Sequence, residues 1–254
     1  MQLINLDFAT ILILFFAFAL GGIVKGATGA GSPIIAIPVL TIFFDAKLAV
    51  AVMAVPNLFS NIYQIKQFKK SVDNTKFSIR FGVFGAIGCL AGSIFFVFTS
   101  TRLIELLVAA VTIFYVAFSI TKNSTKMSQS LAKKLVSVFG VIGGFVQGTC
   151  GVSAPIALAY LNAIGMKRSE FIFTISCFFG AMAAIQLLSL SLLDFYTIEF
   201  LLIGIVSILP LTLGMPVGEI LTKNFSVKAF EKLILLFLIV LSVQIFLKPY
   251  LNSF

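Results

Sequence analysis

Gly21-Gly22-Ile23-Val24-Lys25-Gly26-Ala27-Thr28-Gly29-Ala30-Gly31-Ser32-Pro33-Ile34 interrupts one long apolar segment of this chain. Gly143-Gly144-Phe145-Val146-Gln147-Gly148-Thr149-Cys150-Gly151-Val152-Ser153-Ala154-Pro155-Ile156 interrupts another. At an offset of 122 residues the two stretches agree at seven of fourteen positions, where composition alone gives about one. Five of the seven are glycine or proline, the residues that set backbone shape and break a plain helix. A pair of matched breaks inside apolar segments is the pattern of a transporter built from two repeats.

The rest of the chain sets that pattern in a membrane. Of 254 residues, 60% are apolar and 11% charged, and the mean hydropathy is +1.14. Several uncharged runs reach eighteen residues, enough to cross a hydrocarbon layer of about 30 Å. The apolar residues run continuously and do not alternate, which argues for helices and against a β-barrel. Met1 to Asp7 lack a basic n-region, so no cleavable signal peptide is expected. The formal charge of +9 does not point to nucleic acid, because Lys66, Lys69, Lys70, Lys76 and Arg80, and again Lys122, Lys126, Lys133 and Lys134, gather between apolar spans. That is the positive-inside signature of cytoplasmic loops. Cys89, Cys150 and Cys177 have neither disulfide nor metal-ligand spacing, and His is absent.

Apolar spans are expected at about 8–44, 48–65, 77–98, 103–120, 135–164, 171–193, 198–220 and 233–247. The offset of 122 also carries Gln64 onto Gln186, Gly82 onto Gly204 and Gly92 onto Gly214. After a four-residue insertion, Arg102 and Glu105 fall on Lys228 and Glu231. The chain therefore divides into a first transmembrane repeat, 1–125, and a second, 126–254, within one integral membrane domain. Basic loops put Lys167 and Arg168 on the cytoplasmic side and Asp45 on the other, so equivalent spans run in opposite directions and the repeats are inverted. Inversion requires an odd number of crossings per repeat. The expected fold is thus an all-α polytopic membrane protein of two inverted repeats, each a glycine-broken helical hairpin plus three full transmembrane helices. Both termini then lie outside, with Arg102 and Lys248 as basic exceptions on the outer side.

In each hairpin the glycines bend the chain, and a short helix restarts behind them. Ser32 stands at an expected N-cap with Pro33 in the first turn, and Ser153 precedes Ala154-Pro155 in the same way. A helix N-terminus carries about half a positive charge and attracts anions. Lys25 adds a full charge, and its counterpart is the neutral Gln147. The expected substrate-binding set is Lys25, Gly26, Thr28, Gly29, Gly31 and Ser32 with Gln147, Gly148, Thr149, Gly151 and Ser153. The competing reading of Lys25 is an ammonium that snorkels to a nearby interface.

GGIVKGATGAGSPIIAIPVL and GGFVQGTCGVSAPIALAYL resemble the two glycine-rich signatures of the TauE/SafE sulfite-exporter family, also called the toluene sulfonate uptake permease group. The resemblance covers essentially the whole length and departs from that pattern's Gly-Gly-Gly ending at Gly31-Ser32 and Val152-Ser153. It implies a bacterial inner-membrane, multi-pass transporter of sulfite, sulfonate, thiosulfate or a related anion, with its site on the two glycine-rich segments.

Other features have plainer readings. Gly82, Gly85, Gly88 and Gly92 recur at helical spacing and suit a close helix contact. Pro56-Asn57, Pro210, Gly214 and Pro216 weaken their helices, for packing or for motion. Gln64 and Gln186 reach either a cavity or an interface. Arg102–Glu105 and Lys228–Glu231 suit local ion pairing; Glu105, Glu231 and Glu219 are also the candidates for a coupling proton. No nucleotide-binding loop or nucleophile–base pair is present, so no cofactor and no enzyme activity are expected. The expected partners are a small anionic substrate, the bilayer and a coupling proton or cation, without nucleic acid and with any oligomeric state. The alternative is a membrane assembly or structural subunit without transport activity, which accounts for the hydrophobicity but not for the doubled breaks.

Overall fold

A computed structural model describes residues 7–121, 126–224 and 227–251. These residues are helical throughout, apart from turns. The helices are α1 (Phe8–Thr28), α2 (Ser32–Phe43), α3 (Ala46–Phe68), α4 (Lys76–Phe98), α5 (Thr101–Thr121), α6 (Gln129–Cys150), α7 (Ala154–Ile164), α8 (Arg168–Leu192), α9 (Ile198–Asn224) and α10 (Val227–Leu251). Seven of those described are long and apolar enough to cross a membrane, and α2 and α7 are the short ones. The lipid-compatible outer surface is apolar, while α3 and α8 are the most buried spans and form the central pair.

Helix starts follow local chemistry. Asp7 and Asp45 cap α1 and α3, each carboxylate accepting from the backbone N–H three residues on at 2.8 Å. Ser128 caps α6 in the same way, accepting from Leu131 N. Such caps satisfy donors that the first helical turn leaves without partners.

Contacts between chain segments define two ends of the bundle. At one, called upper here, Lys47 Nζ donates to Val97 O, the Phe96 and Phe195 rings meet at 5.2 Å, and Arg102 reaches Ile245 O. At the lower end Met127 N donates to Ala163 O and Arg168 Nη2 to Ala27 O. α1 descends beside α9. A Cβ on Gly22 would lie 2.0 Å from Leu211 O, and one on Gly26 1.9 Å from Met215 O. α6 ascends beside α4 with the same intimacy: Gly144 against Gly85 O at 2.0 Å and Gly148 against Cys89 O at 2.3 Å. Glycine is required at these four positions because backbone touches backbone. The expected close-packing role of the α4 glycines holds, with Gly88 on Val141 O and Gly92 on Phe145 O.

Three expectations are corrected. The bends fall later than the first glycines: α1 runs through Gly26 to Thr28 and α6 through Gly148 to Cys150, so the first arms are 21 and 22 residues, full spanning lengths. Each hairpin is therefore a long first helix with a short return, and both first arms are among the seven described helices long and apolar enough to cross a membrane. Helix propagation overrides an isolated glycine, which costs only about 1 kcal/mol. Second, Gly31 is the N-cap of α2 and Ser32 its first residue, with no side-chain cap bond. Third, the contacts of α4 and α9 match at an offset of 126: Gly85 answers to Leu211, Cys89 to Met215, Gly88 to Gly214 and Gly92 to Gly218. The four-residue insertion thus lies early in α9, which has 27 residues where α4 has 23, and Gly82 and Gly92 do not answer to Gly204 and Gly214. The first six residues, and the side chains of Lys228 and Glu231, lie outside the described residues.

Candidate functional site

The two bends share one construction. Gly29 and Gly151 adopt φ of 78° and 73°, and each donates its N–H to the residue four back, Lys25 O at 2.7 Å and Gln147 O at 2.8 Å. The left-handed conformation is open to glycine without a Cβ penalty. A second left-handed glycine, Gly31 at φ 97°, turns the first bend onward. The tips then pack reciprocally. A Cβ on Gly29 would meet Ile172 of α8 at 2.7 Å, and one on Gly151 would meet Ile37 at 2.4 Å and Val50 of α3 at 3.2 Å. Val50 and Ile172 are themselves 122 residues apart.

Behind the first tip the chain doubles back before restarting. A Cβ on Gly31 would lie 3.7 Å from Val24 Cγ1, and one on Gly21 would lie 2.8 Å from Ser32 O. The N-terminus of α2 is therefore seated about two turns up from the end of α1, deep in the protein. Thr28 stitches the bend, its Oγ1 donating to Val24 O at 2.8 Å and bonding Ala30 as well. Cys150 does the same for the second bend, with Sγ on Val146 O at 3.2 Å. Thr28 thus serves the backbone rather than presenting a free hydroxyl.

The polar groups divide unevenly between the halves. Lys25 is fully buried, and its Nζ donates to Asn61 Oδ1 of α3 at 2.8 Å. Among the described residues no carboxylate lies within ion-pair distance of it. Its ammonium points into the bundle, so it does not snorkel to an end. Asn61 Nδ2 in turn donates to Asn57 O at 2.7 Å and Asn57 Oδ1 at 2.9 Å. Ser32 Oγ and Asn57 Nδ2 are buried without partners. In the second half Ser153 Oγ donates to Gln147 Oε1 at 2.9 Å, and Gln186 Nε2 of α8 donates to Gln147 O at 3.3 Å. Thr149 Oγ1 is buried and unpaired. Between the halves, Ser176 Oγ donates to Gln64 Oε1 at 3.0 Å.

Of the expected residues, the structure brings Gln147 and Ser153 into direct contact and sets Gly26 and Gly148 as helix-contact points. No hydrogen bond joins the first hairpin's polar set to the second's among the described residues. Both sets instead reach the α3–α8 pair, through Asn61 on one side and Gln186 on the other. Gln64 and Gln186 are buried in the bundle, which decides against an interfacial place for them. Sequence reasoning passed over Asn61 and read Asn57 only as part of a kink. The available signal was two asparagines four apart, one helical turn, on the same apolar span as Ser60 and Gln64. A cleft of about 220 Å³ between α3 and α9, walled by Tyr63, Gln67, Thr212, Met215, Pro216 and Glu219, contains none of the expected substrate-binding residues but does hold the coupling-proton candidate Glu219. No cluster of metal-ligating side chains occurs among the described residues.

Residues 14–245 match the family described as Sulfite exporter TauE/SafE. The chain belongs to that family, whose description is of membrane exporters, and the helical architecture is that of a multi-pass membrane protein. No curated protein and no solved structure matches it.

Proposed function

We propose that this chain is a secondary transporter or facilitator that moves a small sulfur-containing or organic anion, such as sulfite, a sulfonate or thiosulfate, across a bacterial inner membrane, and that it is not an enzyme. The observation that carries this reading is Lys25: a fully buried cation held by one neutral amide, with no carboxylate at hand. An ammonium offers three donors, and a buried charge is costly unless it is paired. A mobile anion supplies the missing partner during the transport cycle. Ser32 Oγ and Thr149 Oγ1, buried and unpaired, add polar capacity. Lys25, Gly26, Thr28, Gly29, Gly31, Ser32, Gln147, Gly148, Thr149, Gly151 and Ser153 make up the proposed site, with the glycines shaping it and Lys25 holding the charge.

The mechanism rests on two inverted repeats, 1–125 and 126–254. Support comes from the matched pairs: α1 descends on α9 as α6 ascends on α4, and each tip packs on the other half's central helix. Contacts that exchange when each helix is replaced by its counterpart running the opposite way are those a two-fold axis in the membrane plane generates. Rocking of the hairpins against the α3–α8 pair would then open the Lys25 region to one side and the other. Glu105 is tied into ion pairs with Arg102 and Lys248, which supports a structural role for it over proton coupling.

The test is uptake of labelled sulfite into liposomes holding the purified protein. Wild-type protein moves the anion and Lys25→Ala, folded by gel filtration, does not. Equal transport by the two ends the reading. Cysteines introduced at Asp45 and Lys167 report orientation: labelling from opposite sides is expected, and labelling from one side removes the inversion.

A further inference from the structure

The buried polar groups on α3 form a relay whose direction is fixed at one end. A protonated lysine has donors and no acceptor, so for the Lys25 ammonium the Asn61 atom that meets Nζ at 2.8 Å is the oxygen. The Asn61 nitrogen must then face onward, and it donates to Asn57 O and Asn57 Oδ1. With Asn57 Oδ1 occupied as an acceptor, the group left at the far end is Asn57 Nδ2. That nitrogen is buried and has no partner, in a residue 1% exposed. Turning the Asn57 amide over would set two nitrogens against each other. Both ends of the relay are therefore donors: the two unused N–H bonds of Lys25 and the amide N–H bonds of Asn57.

Such a group is costly to bury unmet, and native interiors seldom carry one without a reason. The matching positions of the second half are Ala183 and Phe179, so nothing there repeats or needs the relay. Opposite Asn61, α8 presents Gly180, where an added Cβ would stand 3.5 Å from Asn61 Cβ. Side-chain bulk is absent from the partner helix at that level.

We propose that Asn57 is a specificity-determining residue that contacts the transported anion, and that Asn61 is a positioning residue that holds Lys25 for it. This rests on the transport reading above and deepens it. The relay suits a ligand with several acceptor atoms and no donors, such as the oxygen face of a sulfite or sulfonate group. It offers no seat to a metal cation, because its free ends carry hydrogens. Repeat symmetry is broken here, so one charged end of the ligand is gripped by the first half while the second half meets the remainder.

The experiment compares wild type, Asn57→Asp, Asn57→Gln and Asn57→Ala in sulfite counterflow, with melting temperature measured for each. Asn57→Asp replaces the terminal donor with an acceptor and a negative charge, and its KM should rise at least tenfold. Asn57→Gln keeps a donor and should stay within about threefold in KM, rescuing what Asn57→Ala loses. If Asn57→Asp does not fold, Asn57→Ala against Asn57→Gln decides alone. Unchanged KM in Asn57→Asp or Asn57→Ala, or equal losses in all three variants, overturns the relay while leaving sulfite transport by wild type intact. A wild-type protein that moves none of sulfite, methanesulfonate or acetate overturns both readings.

Discussion

The two hairpins have one backbone and two chemistries. In the first, a buried ammonium leans on a single amide, and a serine hydroxyl beside the restart of α2 has no partner. In the second, Gln147 stands where Lys25 does and is bonded within its own half, its Oε1 accepting from Ser153 and its backbone carbonyl from Gln186, while the Thr149 hydroxyl has no partner. The same glycine bends impose shape in both hairpins, while the buried cation stands in one. On the proposed reading the matched bends are the scaffold, and the few polar positions at which they differ set how a ligand is held.

The sharpest way to break this comparison is to make the halves chemically alike. Lys25→Gln should lower sulfite uptake by about 100-fold, the scale of losing a buried charged contact. Gln147→Leu should lower it less than about fivefold, and reversed magnitudes would move the site to the second half. Backbone equivalence is tested by adding a methyl group at matched points. Gly26→Ala and Gly148→Ala place a Cβ 1.9 Å from Met215 O and 2.3 Å from Cys89 O, and each should cost about 2–3 kcal/mol in detergent melting. A large cost in one and none in the other would show that the two helix contacts are not counterparts.

Smaller effects sharpen the picture at the rims. Glu105→Gln removes both 3.1 Å ion pairs, to Arg102 and to Lys248, and should cost about 2 kcal/mol without changing KM for the anion. A changed KM would bring that carboxylate into the transport cycle. Gly165 caps α7 at φ 71° with nothing within 4 Å of an added Cβ, whereas α2 ends at Phe44 without a glycine. Gly165→Ala should therefore cost only about 1 kcal/mol, the strain of a left-handed alanine, again by melting.

Much of this was legible in the residues because backbone demands are local. Gly29, Gly31 and Gly151 announce left-handed turns wherever they fall in space, and the Arg102–Glu105 pair needs only a spacing of three. The position of each break was less legible: Gly26 and Gly148 read as part of the bend but serve helix contacts, because what a glycine touches depends on the partner helix. Lys248 illustrates the other limit. It joins Glu105 from 143 residues away, so no local pattern foretells it, and two apparent exceptions to the charge rule turn out to share one carboxylate. Asn61 was only half legible for a similar reason: its spacing from Asn57 is local, but the amide gains its meaning when a lysine from another helix arrives.

The clasp at the upper end also has a bearing on how the chain is assembled. Lys248 donates to Thr41 O and Phe44 O, the closing carbonyls of α2, and Arg102 to Ile245 O and Phe246 O. Some two hundred residues of chain separate this arm from the side chain that ties down its end. The first hairpin therefore stays unfastened until α10 has been made. A chain cut short before that lysine would leave the hairpin without its clasp.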